Sequence, residues 1–238
     1  MAAATARPSA INPAKRRGRT MQFNYILGAL PDLLWAMTVS VKLAAAGVVF
    51  AFLWGVILLA GRLSRFAVVR MTVGQIVDFA RYTPVLLQLF VLYFGLPMFG
   101  IYLSAFACGV ATLAFQQGAY LSEVFRGGLS SIDKHQRESA AALGMTQRRI
   151  FLDVLLPQAL IKSLPVIGNQ VILLFKDTTI VSAIGIAEVT LTAKLLAERS
   201  GASFMLFLAV AVLFICATTL LSLAVHWLEG IRKKRYGI

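Results

Sequence analysis

Apolar residues gather in five long stretches, at about residues 33–61, 76–94, 101–123, 164–188 and 203–228. A helix needs a run of roughly 18 or more such residues to cross a hydrocarbon core of ~30 Å. The pattern therefore predicts an all-α integral membrane protein with about five transmembrane helices. Before the first stretch, residues 21–32 are mixed: Phe23, Tyr25, Ile26 and Leu30 are placed amphipathically, and Pro31 interrupts continuity. That segment is too short to span and reads as an interfacial helix. Residues 1–20, rich in Ala, Arg, Pro and Lys, read as a basic disordered tail; residues 33–230 form the membrane domain, and 231–238 a basic cytoplasmic tail.

Composition supports lipid as the main solvent. The chain has 238 residues, 59% hydrophobic and 14% charged, where soluble domains run at about 45–50% and about 25%. The net charge of +13 does not point to nucleic acid, because the basic residues lie between apolar stretches and form no stripe on a water-facing fold. Arg62, Arg65 and Arg70 follow the first stretch; Arg126, Lys134, Arg137, Arg148, Arg149 and Lys162 fall between the third and fourth; Arg232, Lys233, Lys234 and Arg235 follow the fifth. Lys and Arg favour cytoplasmic loops, which places the C-terminus inside and the N-terminus outside. Arg7, Lys15, Arg16, Arg17 and Arg19 run against this orientation. No apolar core with a small-residue cleavage site follows the first residues, so no signal peptide is expected.

Candidate chemistry is sparse. Cys108 and Cys216 lie inside apolar stretches and read as small hydrophobes. The two histidines, His135 and His226, have no catalytic or metal-ligating companion in the sequence, which argues against a membrane-embedded enzyme. No internal duplication marks a self-sufficient secondary transporter. A Gly-x-x-x-x-Gly-Lys-Ser/Thr loop is missing, so no cofactor is expected in this chain, and any ATP and Mg belong to another subunit.

The longest basic connection, residues 126–162, contains Glu138-Ser139-Ala140-Ala141-Ala142-Leu143-Gly144-Met145 and, further on, Leu156-Pro157. Residues 138–145 are good helix formers with small side chains, suited to lying in a groove on another protein. Gly144 would end that helix, and Leu156-Pro157 would mark a fresh element boundary. These residues resemble the signature cytoplasmic loop of ABC importer permeases: Glu138, Ala140, Gly144, Leu156 and Pro157 match, and Ser139 stands for the usual first Ala. Arg81-Tyr82-Thr83-Pro84, Tyr93-Phe94-Gly95-Leu96-Pro97, Gly118-Ala119-Tyr120-Leu121-Ser122-Glu123 and Lys176-Asp177-Thr178-Thr179 look like the polar amino-acid uptake permeases, with Tyr82 in place of a more usual Gly.

The resemblance implies a type I importer permease in a bacterial inner membrane. It would take up polar amino acids, or derivatives such as opines, with residues 138–145 as the coupling helix. It also implies a second permease subunit, identical or related, two ATP-binding subunits and an extracytoplasmic amino-acid-binding protein.

Charged residues within the stretches call for partners, since each costs roughly 2.5–3.5 kcal/mol at a helix centre. Arg81 and Glu123 are expected near the same membrane face, where an ion pair between them would join two helices. Lys176 and Asp177 fall near the middle of the fourth stretch. There they could meet the carboxylate and ammonium of a zwitterion, or could pair with each other. Asn169 lies seven residues before Lys176 on nearly the same face; Gln116, Tyr120 and Glu123 share a face on the third stretch, and Gln88 lies seven residues beyond Arg81 on the second. Together these residues form the candidate substrate path.

Overall fold

In the computed structural model, backbone is described for residues 13–236 and side chains for residues 25–231. Among these residues there is no strand. Nine helices follow in order: α1 (Pro13–Arg62), α2 (Ala67–Tyr82), α3 (Val85–Phe90), α4 (Ala105–Ser130), α5 (Lys134–Ala142), α6 (Gln147–Arg149), α7 (Leu156–Asp177), α8 (Val189–Ser200) and α9 (Ser203–Tyr236). Residues 1–12 of the expected tail, and 237–238, lie outside the described part.

Each of the five apolar stretches falls on helix, but their limits differ from those expected. Three segments are long and apolar enough to cross a membrane: Tyr25–Arg62, Gln147–Ile184 and Ser203–Ile231. A fourth is the pair Ala67–Tyr82 and Val85–Phe99, bent by 105°. Pro31 does not interrupt α1, which runs through it. A proline leaves one carbonyl without its donor, and neighbouring helices make that tolerable in membrane helices. The second stretch is not one straight helix, because Thr83 and Pro84 are extended, with ψ of 142° and 131°. Pro84 forces that conformation on the residue before it. Among the described residues no non-glycine residue has a positive φ, so Tyr82 in place of Gly requires no strained backbone at this elbow.

Leu156-Pro157 does mark the start of α7, with Pro157 in its first turn, but the chain does not leave helical backbone before it. A π-helical turn (Ile150–Leu155) joins α6 to α7, with Leu156 N–H donating to Phe151 O. The Gln158 side chain donates to Val154 O at 2.9 Å.

α4 is the most covered helix. It packs on α1, α2 and α7, with Leu113, Ala114, Leu121 and Phe125 in a core shared with Ala44, Ala51 and Leu59 of α1 and Leu174 and Phe175 of α7. Small residues set the spacing: a Cβ on Gly118 would come 2.9 Å from Ala51 O, and one on Gly55 3.0 Å from Gly118 O. Such backbone approach is how membrane helices gain packing energy without a hydrophobic drive between them. A second core unites Ala29, Leu33 and Ala36 of α1 with Val189, Ala193 and Ala197 of α8 and Leu206 and Val210 of α9.

Candidate functional site

The loop that links α4 to α7 carries the first candidate site. α5 begins at Asp133, whose carboxylate accepts from His135 N–H at 3.0 Å. It ends in a Schellman turn: Gly144 N–H donates to Ala141 O (3.0 Å) and Met145 N–H to Ala140 O (3.2 Å), with Gly144 at φ +75°. Only glycine takes that left-handed conformation without a steric penalty. Thr146 then caps α6, and Arg137 Nη2 donates to Gln147 Oε1 at 2.9 Å, fixing α6 against α5. Ala140 is buried; Glu138, Ser139, Ala141, Ala142 and Leu143 are exposed, Leu143 by 82%. The element expected at 138–145 is thus the second half of a short helix plus its closing turn, with one face seated on the protein and the other free.

The second candidate site is dispersed. Ion pairs among the described residues are Arg62–Glu123 at 2.8 Å, Arg126–Glu123 at 2.6 Å and His135–Glu138 at 3.2 Å. The expected Arg81–Glu123 pair does not form, because α1 ends with Arg62 beside the same carboxylate. The Arg81 guanidinium lies over the rings of Tyr120 and Tyr82, 5.3 and 5.9 Å from their centres. Tyr120 Oη donates to Arg81 O at 3.3 Å.

Gln88 does not share a helical face with Arg81, since the elbow intervenes. Its Nε2 donates back to Ala80 O (2.9 Å), Thr83 O (3.2 Å) and Thr83 Oγ1 (2.6 Å), which closes the end of α2.

Lys176 and Asp177 stand at the end of α7, nearer the far end of the long helix than its middle, because that helix starts at Gln147. A 3₁₀ segment (Thr178–Ile184) follows and stops at Gly185, φ +83°. The two residues do not pair with each other. Asp177 Oδ2 accepts from Gln117 Nε2 at 3.0 Å, while Lys176 and Asn169 are exposed. A cation in the last turn suits the free carbonyls of that helix end. Gln116 is buried and Tyr120 half-buried.

Two polar residues had no role in the sequence reading. Gln117 bridges α4 to α7, and nothing in its sequence distinguishes it from Gln116. Glu188 is fully buried and caps α8, accepting from Thr190 N–H and Leu191 N–H at 2.9 Å each. The Gly185 punctuation just upstream of an amphipathic run is the signal that could have found it.

Residues 47–234 match the family described as "Binding-protein-dependent transport system inner membrane component". The chain is 34% identical over 217 residues to the "Probable amino-acid ABC transporter permease protein PatM" of Vibrio harveyi, covering 90% of this chain and 97% of that one. It is 31% identical to the nopaline transport system permease protein NocM of Agrobacterium fabrum, with 91% and 96% covered. Among solved structures, an amino acid ABC transporter crystallised with histidines superposes with a TM-score of 0.82 at 29% identity, covering 86% of this chain and 95% of that one. The fold is that of type I ABC importer permeases. By sequence and by architecture, this chain belongs to the family of binding-protein-dependent transport system inner membrane components.

Proposed function

We propose that the chain is the membrane-spanning permease of an importer for polar amino acids or opine-like derivatives. Hydrolysis of ATP and Mg-ATP binding reside in two separate subunits, and an extracytoplasmic binding protein delivers the substrate. A second permease, identical or related, supplies the other wall of the path in a bacterial inner membrane, with the C-terminus in the cytoplasm. The observation that carries this reading is the loop at 133–149. A short helix closed at both ends, with small residues and Leu143 exposed on its outer face, is shaped to enter a groove on a partner. Relatives whose names specify amino-acid and nopaline transport support the substrate class.

The substrate path follows α7. Lys176 and Asn169 keep free polar groups on one exposed face for a carboxylate, and Asp177 supplies the counter-charge for an ammonium. Gln116 and Tyr120 of α4 complete the wall. Arg81, Gln88 and Glu123 are held by other contacts and serve the frame around it.

The test is reconstitution with candidate ATP-binding subunits and an amino-acid-binding protein from the same cell. Labelled histidine, arginine, glutamine and glutamate should report uptake that requires ATP. Ala141→Trp should abolish stimulated hydrolysis and uptake by roughly tenfold or more, as loss of a central packed contact does. Full stimulation and uptake in that variant would remove the coupling role of α5.

A further inference from the structure

We propose that Glu123 is the hub of a tie that carries ATP-driven movement from the coupling loop to α1, with Arg62 as its positioning residue and Gly74 as the notch through which Arg62 passes. This rests on the coupling role of α5 proposed above.

Glu123 lies seven residues before the end of α4, or ~10 Å along the helix at 1.5 Å per residue. Three residues separate the end of α4 from the start of α5. The two oxygens of its carboxylate are divided between helices. Oε2 accepts both Arg126 Nε (3.0 Å) and Nη2 (2.6 Å) from one turn further along α4, which fixes the Glu123 side chain on its own helix. Oε1 is left to accept Arg62 Nη2 at 2.8 Å, from the last residue of α1. The pair is largely shielded, with side-chain exposures of 22% for Arg62 and 16% for Glu123. A shielded, charge-assisted contact is among the strong directional ones available at a helix interface.

Arg62 reaches Glu123 by crossing α2. A Cβ on Gly74 would lie 2.7 Å from Arg62 Nη1, so the absence of a side chain at 74 opens the way.

The rest of the geometry gives this tie its consequence. α4 and α7 flank the coupling loop on its two sides and are pressed together where Gly128 meets Ser163 and Ala159 O. Lys162 Nζ also donates to Ser131 O at 2.9 Å. A push on α5 therefore moves α4 and α7 together. α1 meets α4 elsewhere through apolar and small residues, contacts without the directionality of a charged pair. The Arg62–Glu123 pair is the polar link that fixes α1 to this moving unit among the described residues.

The experiment uses the whole importer in proteoliposomes, with labelled histidine, arginine, glutamine and glutamate as probes, and reads uptake and ATP hydrolysis together. R62M and G74V should each lower the amino acid taken up per ATP by about fivefold, with the ATP-binding subunits still bound. The double variant R62M/G74V should be no worse than either single one, because both remove one interaction. R62K should stay within about twofold of wild type, since it keeps the charge. A merely structural bond would lower uptake and hydrolysis in parallel, leaving their ratio unchanged, and that outcome overturns the proposal. An unchanged ratio in G74V, or losses that multiply in the double variant, overturns it as well, even where R62M fails to insert. Uncoupling by A141W with a normal ratio in R62M and G74V would reject the tie alone; a wild-type A141W would reject the coupling reading beneath it.

Discussion

Two helix breaks in this molecule are closed by opposite chemistry. At Thr83-Pro84, α2 ends with carbonyls turned away from any following helical N–H, and a donor closes it: the Gln88 amide meets Ala80 O and Thr83 O. Between Gly185 and Val189, α8 begins with free N–H groups, and an acceptor closes it: the Glu188 carboxylate takes two of them. Unsatisfied backbone groups cost several kcal/mol where water cannot reach, so neither end can be left open. The direction of the helix decides which side chain is recruited. The comparison also separates polar residues that hold the fold from those free to meet a ligand. Gln88 and Glu188 are committed to backbone, whereas Lys176 and Asn169 are exposed.

The strongest way to break the comparison is Glu188→Ala. It strands two partly buried N–H groups and should cost on the order of 2 kcal/mol, read as a lower unfolding midpoint in detergent. Glu188→Gln keeps one acceptor oxygen and should lose about half as much. Equal losses in the two variants would mean that the charge, not the cap, is what matters. Gln88→Leu should cost roughly 2 kcal/mol, since it removes one donor from an elbow already held by Thr83 N–H and Oγ1 on Phe79 O. An unchanged midpoint would show that the elbow is set by Pro84 alone.

Gly144→Ala tests a third helix end, this one in water. Its left-handed φ should make the substitution cost about 1 kcal/mol. The loss should appear as faster amide exchange in α5 with no shift of the global midpoint. A shift as large as that of Gln88→Leu would contradict the view that exposed ends are less demanding than buried ones.

Much of this architecture is legible in hydropathy, because long apolar runs report their solvent. The Gly144 stop was legible too, since a glycine after an Ala-rich helix has few other uses. Partners were not. Arg81 and Glu123 look matched along the sequence, yet the acid goes to Arg62, which no local pattern connects to it. The break at Thr83-Pro84 turns a seven-residue spacing from a shared face into a hairpin-like return, so Gln88 caps α2 instead of lining up with Arg81. Lys176 looked central only because the start of α7 was placed at residue 164, when an accommodated Pro157 lets helix run from Gln147. Pro31, expected to interrupt the chain, is carried inside α1, whereas Pro84, inside a stretch expected to be one span, breaks it because Thr83 before it is extended.

The coverage of α4 has a consequence for how the chain is made. From Tyr82 through Ser122 the sequence carries no charge, yet α4 is absent from the helices apolar enough to cross on their own. Gln116 and Gln117 lie side by side in it, both buried among other helices. A helix with adjacent carboxamides is poorly held by lipid before its neighbours arrive. During synthesis α1 emerges first, and it already presents the Gly55 and Ala51 seam onto which α4 fits. Insertion of α4 should therefore depend on the seam that α1 offers it, and substitutions that bulk up that seam should appear as failures of biogenesis before transport can be measured.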